Sequence, residues 1–216
     1  MQTQIPRHKD YLQRTFLEEL DHKLWSTKGA RFHANKRLLE INDLSASSLS
    51  FLSAYLIILG LLSVYQITKQ PIISDRSIAF GSTALSILLL VFSQSEAAKD
   101  YKVKAHQFHD CALKIAELYN ELKIFKTLAA PTIEETIKFC DDISRRYQSV
   151  LDKYSNHESI DFLVFKSDNQ EYYELNTLSV LKVRFEYYWS VKFRYHVFIL
   201  LPPLIFILLA LKVQWI

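Results

Sequence analysis

The 216-residue sequence has only three glycines and two cysteines, and it contains none of the common catalytic motifs. So few glycines argue against a glycine-rich phosphate loop and against a fold built on tight β-turns. No nucleotide-binding P-loop, serine-hydrolase elbow, zinc-protease motif or protein-kinase signature is present. The sequence therefore predicts an all-α protein that is not an enzyme, with no catalytic residue and no cofactor.

Charged residues are missing from two long stretches, Leu44–Thr68 and Ser77–Ser95, which contain no Asp, Glu, Lys, Arg or His. As helices, their 25 and 19 residues would be roughly 37 and 28 Å long, enough to cross a bilayer core of about 30 Å. A soluble domain would place a polar stripe along such helices. Only the link Lys69–Arg76 separates the two stretches, which predicts a transmembrane helical hairpin over residues 44–95.

A third apolar segment, Tyr195–Leu211, lies near the C-terminus, and its 17 residues are close to the lower limit for a transmembrane helix. Pro202 and Pro203 lie at its centre, where they remove two backbone donors and would kink a helix. A membrane tolerates this when neighbouring helices or polar groups cover the freed carbonyls. Flanking aromatic residues favour a full span over a re-entrant or interfacial segment. These aromatic residues are Trp189, Tyr195 and Trp215.

Positive charges flank the apolar segments unevenly. Four lie in the 20 residues before the first segment, four in the 20 after the second, and four in the 20 before the third. The link of the hairpin has only two, and the C-terminal tail has one. The positive-inside rule therefore predicts that the N-terminus and residues 96–194 are cytoplasmic, with the tip of the hairpin outside.

The net charge of +3 is modest, and the basic residues collect beside the apolar segments. This pattern favours contact with anionic lipids over a nucleic-acid surface, so no direct nucleic-acid partner is expected. No signal peptide is expected either, because 43 mostly polar residues precede the first apolar stretch. Cys111 and Cys140 lie in predicted cytoplasmic regions, so both are expected to be reduced thiols.

The predicted cytoplasmic regions have helical periodicity. Over Asp10–Ile41 the apolar residues have helical spacing, which predicts a helix that is either continuous or broken once, at Gly29. After the second apolar stretch the spacing alternates between four and three, which is typical of a coiled-coil seam. The seam positions are Tyr101, Ala105, Phe108, Ala112, Ile115, Tyr119 and Leu122. The predicted contacts of an oligomer are Tyr101, Phe108, Ile115, Tyr119 and Leu122.

A second heptad helix follows Pro131, and Thr132 with Glu135 forms a capping-box motif at its start. Together the two heptad helices predict an antiparallel hairpin. The seam predicted for the second helix is Ile133, Ile137, Cys140, Ser144, Tyr147, Leu151 and Tyr154. The sequence pattern over Asn156–Leu175 predicts no more than a broken helix or a loop. The spacing from Leu178 to Tyr188 predicts a last helix that runs straight into the third apolar segment.

The predicted organisation therefore has four parts. They are an N-terminal cytoplasmic amphipathic helix (1–43), a transmembrane hairpin (44–95), a cytoplasmic coiled-coil-like helical region (96–194) and a C-terminal membrane segment (195–216).

His106 and His109 could place two imidazoles on one side of a helix, next to Asp110 and Cys111. Phe108 lies in the seam between them, however, and no second pair of ligands has metal-site spacing. A solvated face is the better interpretation, and no metal site is predicted.

Small and hydroxyl-bearing residues share one face of each predicted span. Such a face either packs closely against another helix, which is the commoner case, or lines a water-filled pore. A chain with two or three spans cannot enclose a pore alone, so a pore would require several subunits. The candidate pore-lining residues are Ser50, Ser53 and Gly60 on the first span and Ser86 and Ser93 on the second.

Three stretches of the chain carry a family resemblance. They read WSTKGARFHANKRLL (25–39), NDLSASSLSFLSAYLIILGLL (42–62) and YKVKAHQFHDCALKIAELYNEL (101–122). Over about Trp25–Lys166 the chain resembles the SLATT domains, the SMODS- and SLOG-associating two-transmembrane effector domains of bacterial conflict systems. Further pieces, Asn156–His157 and Asp161, resemble the subgroup encoded beside reverse transcriptases. The short motifs are Ala30–Arg31–Phe32, Arg37–Leu38, the serine-rich first span, and the helix around Cys111 and Tyr119.

This resemblance implies a pore-forming or membrane-disrupting toxic effector of an anti-phage system, which depolarises the bacterial inner membrane and kills or arrests the cell. It implies a homo-oligomer in the lipid bilayer, with an upstream sensor such as a reverse transcriptase or a nucleotide-signalling protein. It offers no catalytic residue. Tyr195–Leu211 departs from the minimal two-span pattern of the family. The alternative function is a membrane-anchored scaffold or sensor whose cytoplasmic helices recruit a partner.

Overall fold

The computed structural model of the chain describes Lys9 and residues 15–65 and 75–214. Within these ranges every regular element is a helix, which confirms the predicted all-α fold. The helices are α1 (Phe16–Tyr65), α2 (Asp75–Ala97), α3 (Tyr101–Leu128), α4 (Ile133–Leu151), α5 (Ser159–Asp168), α6 (Thr177–Tyr187) and α7 (Phe193–Gln214). Most of the predicted hairpin link, including Ser74, and the flanking Trp215 lie outside the described residues.

The chain divides into two compact units. The first consists of Met1–Leu39 and Lys102–Tyr188, and the second of Glu40–Tyr101 and Trp189–Ile216. The first unit thus contains most of the predicted cytoplasmic sequence, and the second contains all three apolar segments.

The first unit packs α1, α3 and α4 around an apolar core. Its core residues are Leu20, Leu24, Cys111, Ile115, Leu118, Leu122 and Ile143. Ile115 and Leu122, two positions of the predicted seam on α3, are fully buried. Burying a side chain of this size stabilises a fold by about 1.5–3 kcal/mol. The heptad spacing therefore predicted the buried face of α3, and helices of the same chain cover that face.

Helix α1 passes through Gly29 without a break, so the continuous one of the two predicted alternatives is correct. A Cβ atom at Gly29 would lie 2.1 Å from Cε2 and 2.3 Å from Cδ2 of Phe165, far inside van der Waals contact. The missing side chain therefore lets the Phe165 ring of α5 lie directly on the backbone of α1, where it is buried. Gly29 marks a close approach of two helices and not the end of one.

Replacing Gly29 with alanine is expected to lower the free energy of unfolding by about 1–3 kcal/mol, because the Phe165 ring must move. Gly81→Ala is the matched control, since a Cβ at Gly81 would meet nothing within 4 Å. Alanine is also the better helix former, by about 1 kcal/mol, so this control should keep or raise the Tm. Thermal unfolding of the detergent-solubilised variants compares the two. A Gly29→Ala protein as stable as the wild type would contradict the close packing.

Helix α4 begins with the predicted capping box. The Thr132 hydroxyl accepts a hydrogen bond from the Glu135 amide at 3.3 Å, and the Glu135 carboxylate accepts one from the Thr132 amide at 2.7 Å. The seam predicted for α4 is wrong at its first two positions, since Ile133 and Ile137 are 83% and 64% exposed. Ile143, which lies outside that seam, is fully buried. The buried face is rotated because α4 turns Ile143 towards the core that α1 and α3 form.

The predicted last helix is continuous except for one altered turn. Helix α6 ends at Tyr187, a π-helical turn covers Tyr188–Lys192, and α7 follows directly. Such turns commonly interrupt α-helices without ending them. Pro202 and Pro203 lie inside α7, which continues beyond them to Gln214. The whole third apolar segment is therefore helical.

Within the part of the chain that the structure describes, two helices are long and apolar enough to cross a membrane, one within Phe16–Leu62 and one within Ile78–Leu128. The core helix of a soluble protein can be equally apolar, but its apolar residues are buried. Here only 17% and 0% of the two most apolar windows are buried. These exposed apolar helices correspond to the two arms of the predicted hairpin.

Candidate functional site

The five predicted pore-lining residues lie on helix surfaces of the second unit. Ser50, Gly60 and Ser86 are exposed, and Ser53 and Ser93 are partly exposed. Each serine hydroxyl donates to its own helix, to the carbonyls of Ala46 (2.9 Å), Leu49 (2.8 Å), Ser82 (2.7 Å) and Leu90 (2.9 Å), respectively. A hydroxyl bonded in this way still directs its lone pairs outward. These faces can therefore meet lipid, another copy or water without leaving a donor unpaired.

Large apolar side chains are exposed along the same two helices. On α1, Ile57 and Val64 are 64% and 75% exposed, and on α2, Phe80 and Leu88 are 77% and 66% exposed. Exposed apolar side chains in such number mark contact with a membrane or with another protein. The second unit therefore presents surfaces that suit a bilayer or further copies of the chain.

Two serines of α1 that the sequence did not single out are buried. Ser45 is 4% exposed and Ser48 is fully buried. The Ser48 hydroxyl donates to the Leu44 carbonyl at 2.8 Å and lies 3.3 Å from the carbonyl oxygen of Tyr195 on α7. At 100° per residue these serines lie on a different face from Ser50 and Ser53. The serine-rich first span thus has one face that packs within the chain and one that does not.

A polar cluster lies where α2 ends and α7 begins. Glu96 and Tyr195 are 6% and 0% exposed. The Tyr195 hydroxyl donates to Glu96 Oε2 at 2.8 Å, and Lys99 Nζ donates to Glu96 Oε1 at 2.5 Å. Arg194 Nη2 donates to the Tyr195 hydroxyl at 2.6 Å. The cluster joins residues about 100 positions apart. Its position directly after the second apolar stretch is the one sequence signal that points to Glu96.

The proline pair of α7 has a polar partner on α1. Pro203 has no amide hydrogen, so the carbonyl of Ile199, four residues earlier, receives no helical hydrogen bond. The Tyr55 hydroxyl donates to that carbonyl at 2.8 Å. A neighbouring helix thus covers one of the two carbonyls that the proline pair frees, as a proline inside a membrane helix requires.

Several motif residues from the resemblance converge in the first unit. The Arg37 guanidinium donates to both carboxylate oxygens of Asp161, at 2.8 and 3.0 Å, and contacts Glu158 Oε1 at 3.0 Å. Asp161 is 1% exposed and Arg37 is 5% exposed. Burial alone would lower the pKa of Arg37, but the hydrogen bonds and charges of Asp161 and Glu158 raise it. The pair is a buried, charge-assisted link between α1 and α5.

Other motif residues are also internal. Arg31 is 1% exposed and donates to the Ser155 carbonyl and, at 3.3 Å, to Asn156 Oδ1. Cys111 is fully buried, and burial raises the pKa of its thiol. Lys28 Nζ lies 4.1 Å from the centre of the Tyr119 ring. These residues hold the first unit together.

The predicted oligomer seam is mostly covered by its own chain. Phe108 is 9% exposed, and Ile115 and Leu122 are fully buried. Tyr101 and Tyr119 are partly exposed. Of the two arrangements that the spacing allows, within or between subunits, the central side chains of the seam show the first, since Ile115 and Leu122 lie in the core of one chain.

His106 and His109 lie on an exposed face of α3. Among the residues that the structure describes, no group of three or more His, Cys, Asp or Glu side chains could hold a metal ion.

Comparison with known proteins gives one family. A model described as "SMODS and SLOG-associating 2TM effector domain family 5" matches residues 13–209. The match includes most of α7, so the C-terminal apolar helix is part of this family's pattern and not a departure from it. Neither the curated proteins nor the solved structures contain a match.

Proposed function

Because the chain belongs to family 5 of the SMODS and SLOG-associating two-transmembrane effector domains, we propose that it is a toxic effector of a bacterial defence system. Its copies assemble in the inner membrane and open an ion-conducting path, which depolarises the cell. The family itself is one of membrane effectors associated with such systems. Activation would come from an upstream sensor, such as a reverse transcriptase or a nucleotide-signalling protein, and the proposal includes no enzymatic activity.

The observation that carries this proposal is the exposure of the two apolar helices. Their most apolar windows are 17% and 0% buried within the chain. Lipid or other copies must cover this surface, and an ion cannot cross a bilayer beside bare hydrocarbon. The outward lone pairs of Ser50, Ser53, Ser86 and Ser93, with the exposed backbone at Gly60, are the polar lining available to an oligomer.

The proposed topology places the N-terminus and the first unit in the cytoplasm and makes α7 a third span. The continuity of α7 past its two prolines supports the third span, as does the bond from Tyr55 to the Ile199 carbonyl. A reporter fused after Ile216 should then be active outside the membrane. A reporter active only in the cytoplasm would make α7 a re-entrant or interfacial helix.

Inducible expression in bacteria loaded with a potential-sensitive dye tests the function. The potential should collapse after induction and before the cells lyse, to the level that an added ionophore produces. Uninduced cells of the same strain are the control. An unchanged potential in cells that contain the membrane-inserted protein would instead favour a membrane-anchored scaffold that recruits a partner.

A cysteine pair tests the orientation. Cys111 and Cys140 are 0% and 5% exposed, and burial raises the pKa of both thiols. A lack of maleimide labelling at these cysteines would therefore reflect their burial and not the side of the membrane on which they lie. Glu117 is exposed on α3 and provides the cytoplasmic reporter. An impermeant maleimide should label Ser74→Cys in intact spheroplasts and Glu117→Cys only after lysis. Labelling of Glu117→Cys from outside would reverse the proposed orientation.

A further inference from the structure

The Glu96 carboxylate is the centre of a buried hydrogen-bond network that joins two helices of the second unit. From α2, Glu96 accepts hydrogen bonds from Tyr195 of α7 and from Lys99. This side chain, 6% exposed, therefore ties α2 to α7.

Tyr195 is the residue of α7 on which the network depends. Its hydroxyl has a single hydrogen, which goes to Glu96, while its oxygen accepts from Arg194 Nη2 at 2.6 Å. Its backbone carbonyl lies 3.3 Å from the Ser48 hydroxyl of α1. The side chain is fully buried. Tyr195 thus binds α2 through its ring and contacts α1 through its backbone.

The apolar contacts of α7 do much less to hold this helix in one place. Phe92 of α2 and Phe198 of α7 meet with ring centres 4.8 Å apart, but Leu200, Leu204 and Leu208 of α7 are 63%, 52% and 58% exposed. Lipid solvates apolar side chains as well as another helix does, so hydrogen bonds and close packing decide whether such a helix stays attached. The bond between Tyr195 and Glu96 is charge-assisted, and such a bond is stronger than a hydrogen bond between two neutral groups.

We propose that Glu96 and Tyr195 form a latch that holds α7 against α1 and α2 in the resting protein. Its release lets α7 move away from these helices, and, if the proposed function holds, this movement precedes the conducting arrangement. The latch lies beside the charged residues Lys99 and Arg194 at the end of the apolar segments. Water can therefore solvate a released Glu96 there, which would not be so at the centre of a bilayer.

The first experiment measures release without relying on ion conduction. Val191, in the π-turn before α7, is 4% exposed and belongs to the same unit. The maleimide labelling rate of Val191→Cys, corrected for the buried native cysteines, reports whether this end of α7 lifts. Glu96→Gln and Tyr195→Phe should each raise that rate about tenfold, as expected when one charge-assisted hydrogen bond is lost from a local opening equilibrium. Glu117→Gln, which removes an exposed carboxylate, is the matched control and should leave the rate unchanged.

The two substitutions break the same bond, so the double variant should label no more than about twofold faster than the faster single variant. Additive effects, or rates unchanged from the wild type, would overturn the latch. Tyr195→Phe removes only one oxygen atom, so this variant alone is used if Glu96→Gln does not accumulate in cells. If neither variant folds, as shown by the loss of the thermal unfolding transition, the latch is overturned and the bond between Glu96 and Tyr195 has a structural role only.

The second experiment uses the potential-sensitive dye. When the induction level is varied and the amount of protein in the membrane is measured, Glu96→Gln and Tyr195→Phe should depolarise cells at about a tenth of the amount that the wild type requires. Weaker depolarisation by folded variants would overturn the link between release and conduction. If the wild type does not depolarise cells at all, the proposed function fails, and the labelling rates still decide whether the latch exists.

Discussion

Replacing Asp161 with alanine is expected to destabilise the first unit by about 3–5 kcal/mol, because Arg37 would remain buried without its bidentate partner. In a domain of this size that loss corresponds to a fall in Tm of about 10–20 °C. Glu158 also contacts Arg37, at 3.0 Å, but it is 67% exposed and water screens its charge. The Tm of the detergent-solubilised protein is the measurement.

The double variant Arg37→Met/Asp161→Leu is the control for this prediction. Two apolar side chains leave no uncompensated charge, so the double variant should be clearly more stable than Asp161→Ala, although it lacks both ionic groups. A double variant that is less stable than the single one would show that the ion pair itself stabilises the unit, and not merely that an unpaired arginine destabilises it.

Leucine at both Ser50 and Ser53 is expected to abolish depolarisation while leaving the assembled protein intact. Both residues lie on the face of α1 that does not pack within the chain, and their hydroxyls already donate to Ala46 and Leu49. Larger apolar side chains there would narrow and dewet a pore. The dye response and the oligomer size of the solubilised double variant are measured together.

Two comparisons complete this test. Ser50→Ala/Ser53→Ala removes the hydroxyls without adding bulk, so it separates the effect of the polarity of the lining from the effect of the width of the pore. Ser86→Leu/Ser93→Leu makes the same change on α2, the second candidate lining. A leucine variant that keeps its oligomer and still depolarises cells excludes the α1 face as the lining, and one that loses its oligomer identifies that face as a packing surface.

Much of the fold could be predicted because helices and apolar stretches leave strong periodic signals. The spacing of Phe108, Ile115 and Leu122 identified the buried face of α3, and the capping box fixed the start of α4. The spacing could not say whether a seam closes within one chain or between chains, since the same apolar stripe suits both. Nor could the spacing show which face of α4 is buried. Ile143 and Ser144 are adjacent, and Ile143, the larger apolar side chain, lies in the core.

The polar contacts were beyond the reach of the sequence because their partners are far apart along the chain. Glu96 and Tyr195 are 99 positions apart, and Arg37 and Asp161 are 124 apart. Glu96 directly follows the second apolar stretch, but that position does not show which residue its carboxylate bonds. The two alternatives at Gly29 stayed open for the same reason, because only the position of Phe165 shows that the lack of a side chain there is needed.

The long separation between Arg37 and Asp161 has a consequence for the order of events during synthesis. Arg37 leaves the ribosome well before Asp161, since 123 residues, including both arms of the hairpin, lie between them. In the proposed topology, Arg37 is an unneutralised cation next to the first arm while the hairpin enters the membrane, and positive charge directs insertion at that stage. Asp161 is synthesised only later and then pairs with that charge. In this proposal the same arginine would orient the nascent chain first and pair within the folded first unit afterwards.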